Sequence, residues 1–490
     1  MQDLDNTPLL VGIGTVEQRF EDPALAREPI DLMLEAVRRA ASDSRRPEVL
    51  SLVGLVAVPK GRWRYEDPGR HLARSIQADG AETVLGLVGV LQQSLIGEAC
   101  QRIAEGRAEA TVVVGGEARY RRLRGLVMGV PTPESPAAGT PDAVLRAEAE
   151  LVLPAEVEAG LGGMPVGYYA IIESALTHRR GVTVEQQRRE VARLYSRFSE
   201  IAAENPHAWR REPVSPEEVY GPTLHNPMLA FPYTKLHNTT WNVDQAAALL
   251  FCSKRVAEDL GIPPSQWIYP LTSTESNHVT ALSERRDLST SVGARVAGRR
   301  ALEAGGITTD QLDLVDLYSC FPSAVQIYAE ELGVDDRLDW TVTGGMPFAG
   351  GPFNSYVLQS TCRMVELLRR GGSSTGLVTS VSGVLTKQGF GLWSNRPGPR
   401  PFTWLDATPE VAQLVETVPV EPMGNAVGAI AGYTVVHRDG DHVAVALLDT
   451  DRGTRTLAST RDAGAIELLE SQDCCGRPAA STRGALAITI

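Results

Sequence analysis

The sequence predicts an α/β protein in which strands and helices alternate, followed by a small all-β domain. Unbroken apolar runs such as Leu50–Val58 and Thr83–Val90 are typical of strands that are covered on both faces. The stretch 168–220 is rich in Arg and Glu and shows helical periodicity with no strand pattern. Near the C-terminus, short strand patterns flank the turn signal Asp439-Gly440, which is typical of a hairpin.

The first 125 residues have the most regular order of elements. Strands and helices alternate there, and the further elements that we predict are a strand at Leu9–Val16, a helix at Asp31–Ser42, a helix at Ser94–Ala104 and a covered strand at Ala110–Val114. Such an alternation favours a parallel or mixed sheet with helices on both of its faces.

The same order returns after the helical stretch. We expect a short strand at Asn242, and then a small-residue helix at Gln245–Leu260 that Asp244 would cap. Further on, Asp313–Leu317 predicts a buried strand and Ser323–Leu332 an amphipathic helix. The carboxyl end of such a strand is where ligands usually bind in open α/β sheets.

A weak internal repeat indicates a duplicated fold. Ser94–Gly116 and Ser355–Gly383 share the order helix, glycine, strand, glycine. The predicted division is residues 1–125 with 236–265 for the N-terminal half, 126–235 for a loop insertion, 266–403 for the C-terminal half, and 404–490 for the additional β domain.

Composition narrows the function classes. The chain has 490 residues, 43% of them hydrophobic and 22% charged, with a formal net charge of −13. This acidic balance argues against nucleic acid as a partner, and no apolar run is long enough for a membrane span. The beginning of the chain lacks the pattern of a secretory signal, and six cysteines do not form a disulfide framework in a chain of this length. We therefore expect a cytoplasmic protein with reduced thiols.

Five short motifs follow one another in a characteristic order. They are Gly115-Gly116-Glu117, Asn242–Ala248, Leu317–Phe321, Gly350–Asn354 and Ser380–Gly383. In their order and spacing they resemble the GGxE, NxxDGAAA, NEAF, GHPxG and CxGxG motifs of the thiolase superfamily. The chain looks most like the actinobacterial thiolase-like proteins with an additional C-terminal β domain, which are related to sterol-carrier-protein-type thiolases. The resemblance implies a duplicated thiolase fold with α/β/α/β/α layers, a helical loop insertion and an OB-like C-terminal domain.

The resemblance also implies a ligand, CoA or an acyl-CoA, and no metal or other cofactor. Thiolase chemistry needs a nucleophilic cysteine, a second cysteine as acid and base, and a histidine that holds an oxyanion. At the matching positions this chain has no cysteine in 86–94, Gly351 in place of the histidine, Ser380 in place of the second cysteine, and Tyr318 in place of the Asn or His of NEAF. Ordinary acetyl-CoA C-acyltransferase activity is therefore not expected.

Three residues are candidates for chemistry: Tyr318, Cys320 and Ser380. The Tyr318 phenol can donate a hydrogen bond to an enolate or alkoxide. A buried cysteine such as Cys320 is more often a small apolar side chain than a nucleophile. The serine hydroxyl cannot replace a cysteine base, because it ionises far above neutral pH.

Four residues are candidates for substrate contact: Gln93, His237, Gly351 and Asn354. Glycines such as Gly351 allow close approach of the backbone and present bare amide hydrogens to a thioester oxygen. His237 belongs to a segment that borders the CoA channel in the family. Lys387, which follows the turn at Gly383, is expected to be a solvated loop residue.

Three functions stay open on the sequence. The first is a thiolase-like protein that binds a CoA thioester in lipid or sterol metabolism. The second is a carbon–carbon lyase that cleaves a β-hydroxyacyl-CoA by a retro-aldol reaction with Tyr318. The third is a non-catalytic interaction or scaffold protein. The sequence leaves open whether the protein is a monomer or a dimer.

Overall fold

A computed structural model describes residues 4–147, 151–438 and 440–488 of the chain. Asp439 of the expected hairpin turn lies outside the described residues, whereas the two strands that flank it are confirmed as an antiparallel pair. The α/β class, the duplicated core and a small C-terminal β domain are also confirmed. The division into segments at residues 125, 235, 265 and 403 stays a prediction.

The N-terminal elements lie close to their predicted positions. The bounds are β1 (Pro8–Glu17), α1 (Pro29–Asp43), β2 (Val53–Pro59), α2 (Pro68–Ser75), β3 (Glu82–Gly86), α3 (Gln92–Ala104), β4 (Ala110–Ala118), α4 (Arg119–Met128) and β5 (Ala143–Leu145). The helical region that follows comprises α5 (Pro154–Glu158), α6 (Val166–Arg180), α7 (Val184–Glu204) and α8 (Pro216–Tyr220), and then the short strands β6 (Met228–Ala230) and β7 (Tyr233–Thr234). These two strands were not expected from the sequence.

The second half has the following bounds: β8 (Asp244–Ser253), α9 (Lys254–Asp259), β9 (Tyr269–Ser276), α10 (Val292–Gly305), β10 (Leu314–Asp316), α11 (Pro322–Leu332), α12 (Tyr356–Arg370), β11 (Thr375–Ser382) and β12 (Lys387–Ser394). The C-terminal part comprises β13 (Thr403–Asp406), α13 (Thr408–Leu414), β14 (Ala426–Arg438), β15 (Asp441–Thr450), β16 (Arg455–Thr460), α14 (Ala463–Ser471), β17 (Pro478–Thr482) and β18 (Ala485–Ile488).

The helix expected at Gln245–Leu260 is wrong. This segment forms the buried strand β8, which pairs with β1 on one side and β4 on the other, and only α9 after it is helical. A run of small apolar residues fits a strand that is covered on both faces as well as it fits a helix, so periodicity alone does not separate the two. Asp244 therefore does not cap the helix that follows it in sequence: its carboxylate accepts from the Arg121 amide in the first turn of α4 at 3.0 Å, and Ser253 caps α9.

The two sheets are copies of one pattern. Neighbouring strands run β1, β8, β4, β2 in the first sheet and β9, β12, β11, β10 in the second. In both sheets the successive pairs are antiparallel, antiparallel and parallel. Helices α3 and α12 contact both sheets, α1 and α2 cover the outer face of the first, and α10 covers the outer face of the second. The result is the α/β/α/β/α layering that the resemblance implies.

The C-terminal strands close into a five-stranded ring. The strand order around it is β14, β15, β16, β18, β17 and back to β14, with a parallel pair only between β16 and β18. Helix α14 connects β16 to β17. This connectivity is that of an OB-like barrel, in which closure leaves few unpaired strand edges. Strands β6 and β7 extend the sheet beyond β14.

A buried arginine joins the barrel to the core. Arg455 is 0% exposed, and its guanidinium donates to the main-chain oxygens of Ser283, Arg285 and Arg286 and to the carboxylate of Asp449. A buried guanidinium is tolerated only where its donors are paired. The barrel is therefore held to the segment that precedes α10 by a specific polar contact.

No helix among the described residues is both long and apolar enough to cross a lipid bilayer.

Replacing Arg455 with methionine tests this contact. The variant keeps the apolar volume but leaves three carbonyl oxygens and one carboxylate without their donor, and we expect the free energy of unfolding to fall by about 3 kcal/mol. Urea denaturation measures it. Arg461→Met is the matched control, because Arg461 pairs with Asp441 at 2.7 Å on the exposed surface of the same barrel, and little change is expected there. Equal losses in the two variants would contradict the assignment.

Candidate functional site

The candidate site is built around a buried carboxylate at the end of β10. Asp316 is 0% exposed. It accepts hydrogen bonds from the amides of Val342 and Thr343, at 3.0 and 3.2 Å, and from the hydroxyls of Thr341, Thr343 and Tyr356. Burial raises the pKa of Asp316, and these donors oppose that rise. The carboxylate thus fixes the loop 341–345 against the strand end.

Helix α7 of the helical region packs directly on that loop. A Cβ atom at Gly344 would lie 2.5 Å from main-chain atoms of Ala202, and one at Gly345 would lie 2.7 Å from the Phe198 ring. Both glycines have positive φ, 96° and 76°, a conformation that L side chains rarely adopt. The two glycines therefore allow the helix and the loop to touch.

Tyr318 lies two residues beyond β10 and is 7% exposed. Its amide donates to the Thr379 hydroxyl at 2.8 Å, and its ring meets the Tyr356 ring edge-on at 5.7 Å. Burial raises the pKa of Tyr318, and the nearby Gln92 side chain opposes the rise. The phenol therefore stays protonated at neutral pH and acts as a donor rather than as a base.

Gln92, the first residue of α3, connects several parts of the site. Its Nε2 donates to Asn354 Oδ1 at 3.3 Å, and its Oε1 accepts from the Val357 amide at 2.7 Å. Asn354 Nδ2 is buried without a partner among the described residues. Gln92 was not predicted as a site residue. Its place in the segment 86–94, where the resemblance implies the nucleophile, could have indicated it.

Gln93, which follows Gln92 in α3, lies close to Ser380. Gln93 Nε2 donates to the Ser273 hydroxyl at 2.9 Å. A Cβ atom at Gly389 would lie 2.8 Å from both Ser380 Oγ and Gln93 Cβ. Ser380 Oγ and Gln93 Oε1 are buried and have no partner among the described residues. The structure thus places the predicted residues Gln93 and Ser380 close to each other. Gln92 lies near both Tyr318 and Asn354.

Cys320 is buried in an apolar and aromatic surrounding. It is 9% exposed, and burial raises its pKa to about 12, while a hydrogen bond with the Tyr169 hydroxyl opposes the rise. The Tyr169 hydroxyl also lies 3.2 Å from the Gly383 oxygen, and its ring stacks on Phe321 at 4.4 Å. A thiol in this state is not a thiolate at neutral pH, and only a thiolate is strongly nucleophilic.

The space beside Gly351 is occupied. A Cβ atom at this position would lie 2.2 Å from Thr239 Cγ2 and 3.0 Å from Met346 Cε. The Gly351 amide donates to the Thr240 oxygen at 2.9 Å. The backbone of Gly351 therefore has its partner, and a larger side chain has no room unless Thr239 moves.

His237 is 4% exposed and lies between two aromatic rings, 5.5 Å from Tyr195 and 5.8 Å from Tyr233. Its Nδ1 accepts from the Thr234 amide at 3.1 Å. Burial lowers its pKa to about 3, and the nearby Arg188 adds to this. The imidazole is therefore neutral and closes a local turn.

Lys387 is not the solvated loop residue that the sequence suggested. It is 5% exposed, and its ammonium group donates to the Gly89 oxygen. Burial lowers the pKa of Lys387, and the buried carboxylate of Glu275, which accepts from the Ser94 hydroxyl, opposes that change. Lys387 begins β12, which pairs antiparallel with β9, the strand that carries Glu275. This strand pairing buries the lysine, and the sequence alone did not predict the pairing.

Comparison with known proteins agrees with the motifs. No family model matches the chain. An acetyl-CoA acetyltransferase of Syntrophomonas wolfei is 30% identical over 137 residues, which is 28% of this chain and 32% of the relative. A 3-ketoacyl-CoA thiolase of Erwinia tasmaniensis is 28% identical over 159 residues, or 29% of this chain and 35% of the relative. The matches thus span about a third of the length of these curated relatives.

A solved structure matches over the whole chain. The crystal structure of a monomeric SCP2-thiolase like protein type 1 from Mycobacterium smegmatis is 28% identical, with a TM-score of 0.83 and coverage of 100% of both chains. Because that likeness extends over both copies of the sheet pattern, the loop insertion and the C-terminal barrel, this chain belongs to the thiolase superfamily and is similar over its whole length to an SCP2-thiolase-like protein.

Proposed function

We propose that this protein binds CoA or an acyl-CoA thioester at the site around Tyr318 and does not carry out ordinary acetyl-CoA C-acyltransferase chemistry. The curated relatives are acetyl-CoA acetyltransferases and thiolases, which supports a CoA thioester as the ligand and lipid or sterol metabolism as the setting. The absence of a metal or other cofactor stays a prediction. Cytoplasmic localisation stays a prediction.

The occupied space beside Gly351 carries the second half of the proposal. A thiolase needs a histidine side chain at this point to hold the oxyanion. Thr239 and Met346 lie where that side chain would begin. The segment 86–94 has no thiol to carry an acyl group, and the motif resemblance implies that Ser380 takes the place of the second cysteine. One missing catalytic residue would carry little weight, but all three features argue against ordinary thiolase chemistry.

A carbon–carbon lyase is the second candidate. In a retro-aldol cleavage the bond between Cα and Cβ of a β-hydroxyacyl-CoA breaks, the hydroxyl loses its proton, and the enolate takes one up. Tyr318 is held protonated by burial, which suits the donor in this last step. A structure described as Ltp2-ChsH2(DUF35) aldolase has a similar fold, with a TM-score of 0.59 and 18% identity over 80% of this chain and 99% of that one.

A non-catalytic scaffold is the third candidate. The Mycobacterium smegmatis protein is described as monomeric, and a monomer with its barrel fixed to the core would fit a protein that presents a surface to a partner. Light scattering after size-exclusion chromatography would distinguish a monomer from a dimer.

Native mass spectrometry with CoA, acetyl-CoA, acetoacetyl-CoA and a steroid CoA thioester tests the first proposal. We expect a non-covalent complex and no acyl adduct, because burial keeps Cys320 as a thiol. An acyl adduct that disappears in the Cys320→Ser variant would overturn the non-thiolase proposal. Failure of every thioester to bind would remove both the binding and the lyase proposals and leave the scaffold.

Replacing Tyr318 with phenylalanine tests its part in the site. The change removes the hydroxyl that would donate to the ligand, and we expect thioester affinity or turnover to fall about ten-fold, the effect of one lost hydrogen bond to substrate. Calorimetric titration measures the affinity, and product analysis of a β-hydroxyacyl-CoA measures cleavage. Tyr433→Phe is the matched control, because its buried hydroxyl donates to the Gln472 oxygen at 2.8 Å in the barrel. If Tyr318→Phe and Tyr433→Phe behave alike, Tyr318 does not belong to the site.

A further inference from the structure

Helix α4 and the segment beside it expose a large apolar surface. Twelve large apolar side chains are exposed among the described residues, and four of them lie on this ten-residue helix: Leu123, Leu126, Val127 and Met128. Two more, Phe20 and Leu25, lie in the segment 19–25, which contacts α4 through Glu21. We call residues 19–25 and 119–128 the α4 face. Such a concentration of exposed apolar side chains usually marks an interaction site.

The charged residues of α4 are all positive. They are Arg119, Arg121, Arg122 and Arg124. Arg119, Arg122 and Leu126 are spaced three or four residues apart, which places them along one side of the helix. Arg124 pairs with Glu21 at 3.1 Å, whereas the other three arginines make no ion pair among the described residues. Apolar and cationic side chains therefore lie next to each other on the α4 face.

A cleft of about 500 Å³ opens beside the first turns of α4. Its lining includes five arginines: Arg62, Arg64, Arg119, Arg121 and Arg122. None of the five pairs with a carboxylate in the part of the chain that the structure describes. We call it the arginine cleft. The residues assigned above to the candidate site do not line it.

Aromatic rings hold two of these arginines in place. The Arg62 guanidinium lies 4.4 Å from the centre of the Phe353 ring, and that of Arg119 lies 4.5 Å from the Trp241 ring. A guanidinium that stacks on a ring keeps N–H donors free to bind a phosphate at two points. Arg62 and Arg64 donate only through their main-chain amides among the described residues. The cleft therefore offers oriented and unused donors.

The acidic groups around the cleft do not cancel its charge. Glu66, Glu117 and Glu134 line it, three carboxylates against five arginines. Burial raises the pKa of Glu117 to about 7, so this carboxyl is only partly ionised at neutral pH. Behind the cleft, the charge of Glu28 is offset by that of Lys60. The segment 19–27 is neutral, with two arginines and two acids. An excess of positive charge remains.

Neither a second copy of this chain nor a single small ligand fits this surface well. In a two-fold dimer the same patch faces itself, so the arginines of α4 would meet the same arginines of the other copy. The exposed apolar side chains of α4 do not line the arginine cleft. Leu126, for example, is 74% exposed on a convex helix, and no groove there could enclose an alkyl chain.

We propose that the α4 face docks on an anionic membrane surface. The apolar side chains of α4 would enter the boundary between headgroups and acyl chains, and the arginine cleft would receive lipid phosphate groups. A bilayer can surround side chains on a convex helix without a complementary groove. The net charge of −13 does not prevent this docking, because salt screens charges beyond about 8 Å and the local charge decides. The docking is independent of the thioester site.

Co-sedimentation of the full chain with vesicles tests the proposal. We expect binding to vesicles of equal parts phosphatidylglycerol and phosphatidylcholine, little binding to pure phosphatidylcholine, and release at high salt. Val127→Gln should weaken the binding about five-fold, because less apolar surface enters the bilayer. Val427→Gln is the matched control, since Val127 and Val427 are 68% and 65% exposed and Val427 lies on β14 of the barrel.

Arg122→Gln tests the charge of the same surface. Loss of one positive charge near an anionic membrane should weaken vesicle binding about five-fold. Arg193→Gln is its control, because Arg193 is exposed on α7 and also has no ion pair among the described residues. Circular dichroism shows whether each variant is folded.

Four results would overturn the proposal. The first is equal binding to the two kinds of vesicle, or binding to neither, which would leave an acidic protein as the partner. The second is equal binding of Val127→Gln and Val427→Gln. The third is a dimer in light scattering that Val127→Gln dissociates, which would assign the α4 face to a second copy. The fourth is saturable binding of free glycerol 3-phosphate as tight as vesicle binding.

Acetyl-CoA affinity separates this proposal from the thioester site. It should be the same in Val127→Gln as in the wild type, because Val127 lies outside that site. Loss of vesicle binding with unchanged acetyl-CoA affinity supports docking through the α4 face. Equal loss of both would show that Val127→Gln disturbs the protein as a whole and would contradict the assignment.

Discussion

The hydrogen bonds to Asp316 are the constraint on which the rest of the site depends. A buried carboxylate with too few donors would be protonated or would disrupt the core. Asp316 accepts from the amides of Val342 and Thr343, from the hydroxyls of Thr341 and Thr343, and from the Tyr356 phenol. Because these donors come from the loop 341–345 and from the beginning of α12, one side chain fixes both segments at the end of β10. Tyr318 takes its position from that fixed frame.

The duplicated sheets and the barrel follow from different physical requirements. Each sheet copy buries one face against the shared central layer of α3 and α12, so neither copy has a complete core alone. The barrel closes its own strand edges and has a separate apolar cluster around Tyr433 and Leu448. Arg455 and the packing of α6 on β14 then determine where the barrel lies on the core.

Much of the fold was predictable from sequence because strand length, apolar runs and glycine positions are local. The order of strands and helices, the repeat and the barrel strands are of this kind. Strand β8 was not predictable, since the run Ala246–Ala248 has no period that separates a covered strand from a helix. In the site, the motifs located Tyr318 and Gly351. Whether Gln92 or Gln93 meets Tyr318 depends on the angle at which α3 begins, and the burial of Lys387 depends on pairing between distant strands.

The contact between Thr239 and position 351 has a consequence for how such a protein can change during evolution. A histidine cannot enter at 351 while Thr239 Cγ2 lies 2.2 Å from the place of its Cβ, so a single substitution there would strain the loop before any gain could be selected. Thr239 would have to rotate or be replaced by a smaller residue, and a smaller residue alone would leave a cavity. Substitutions at 239 and 351 would therefore be coupled in their effect on stability.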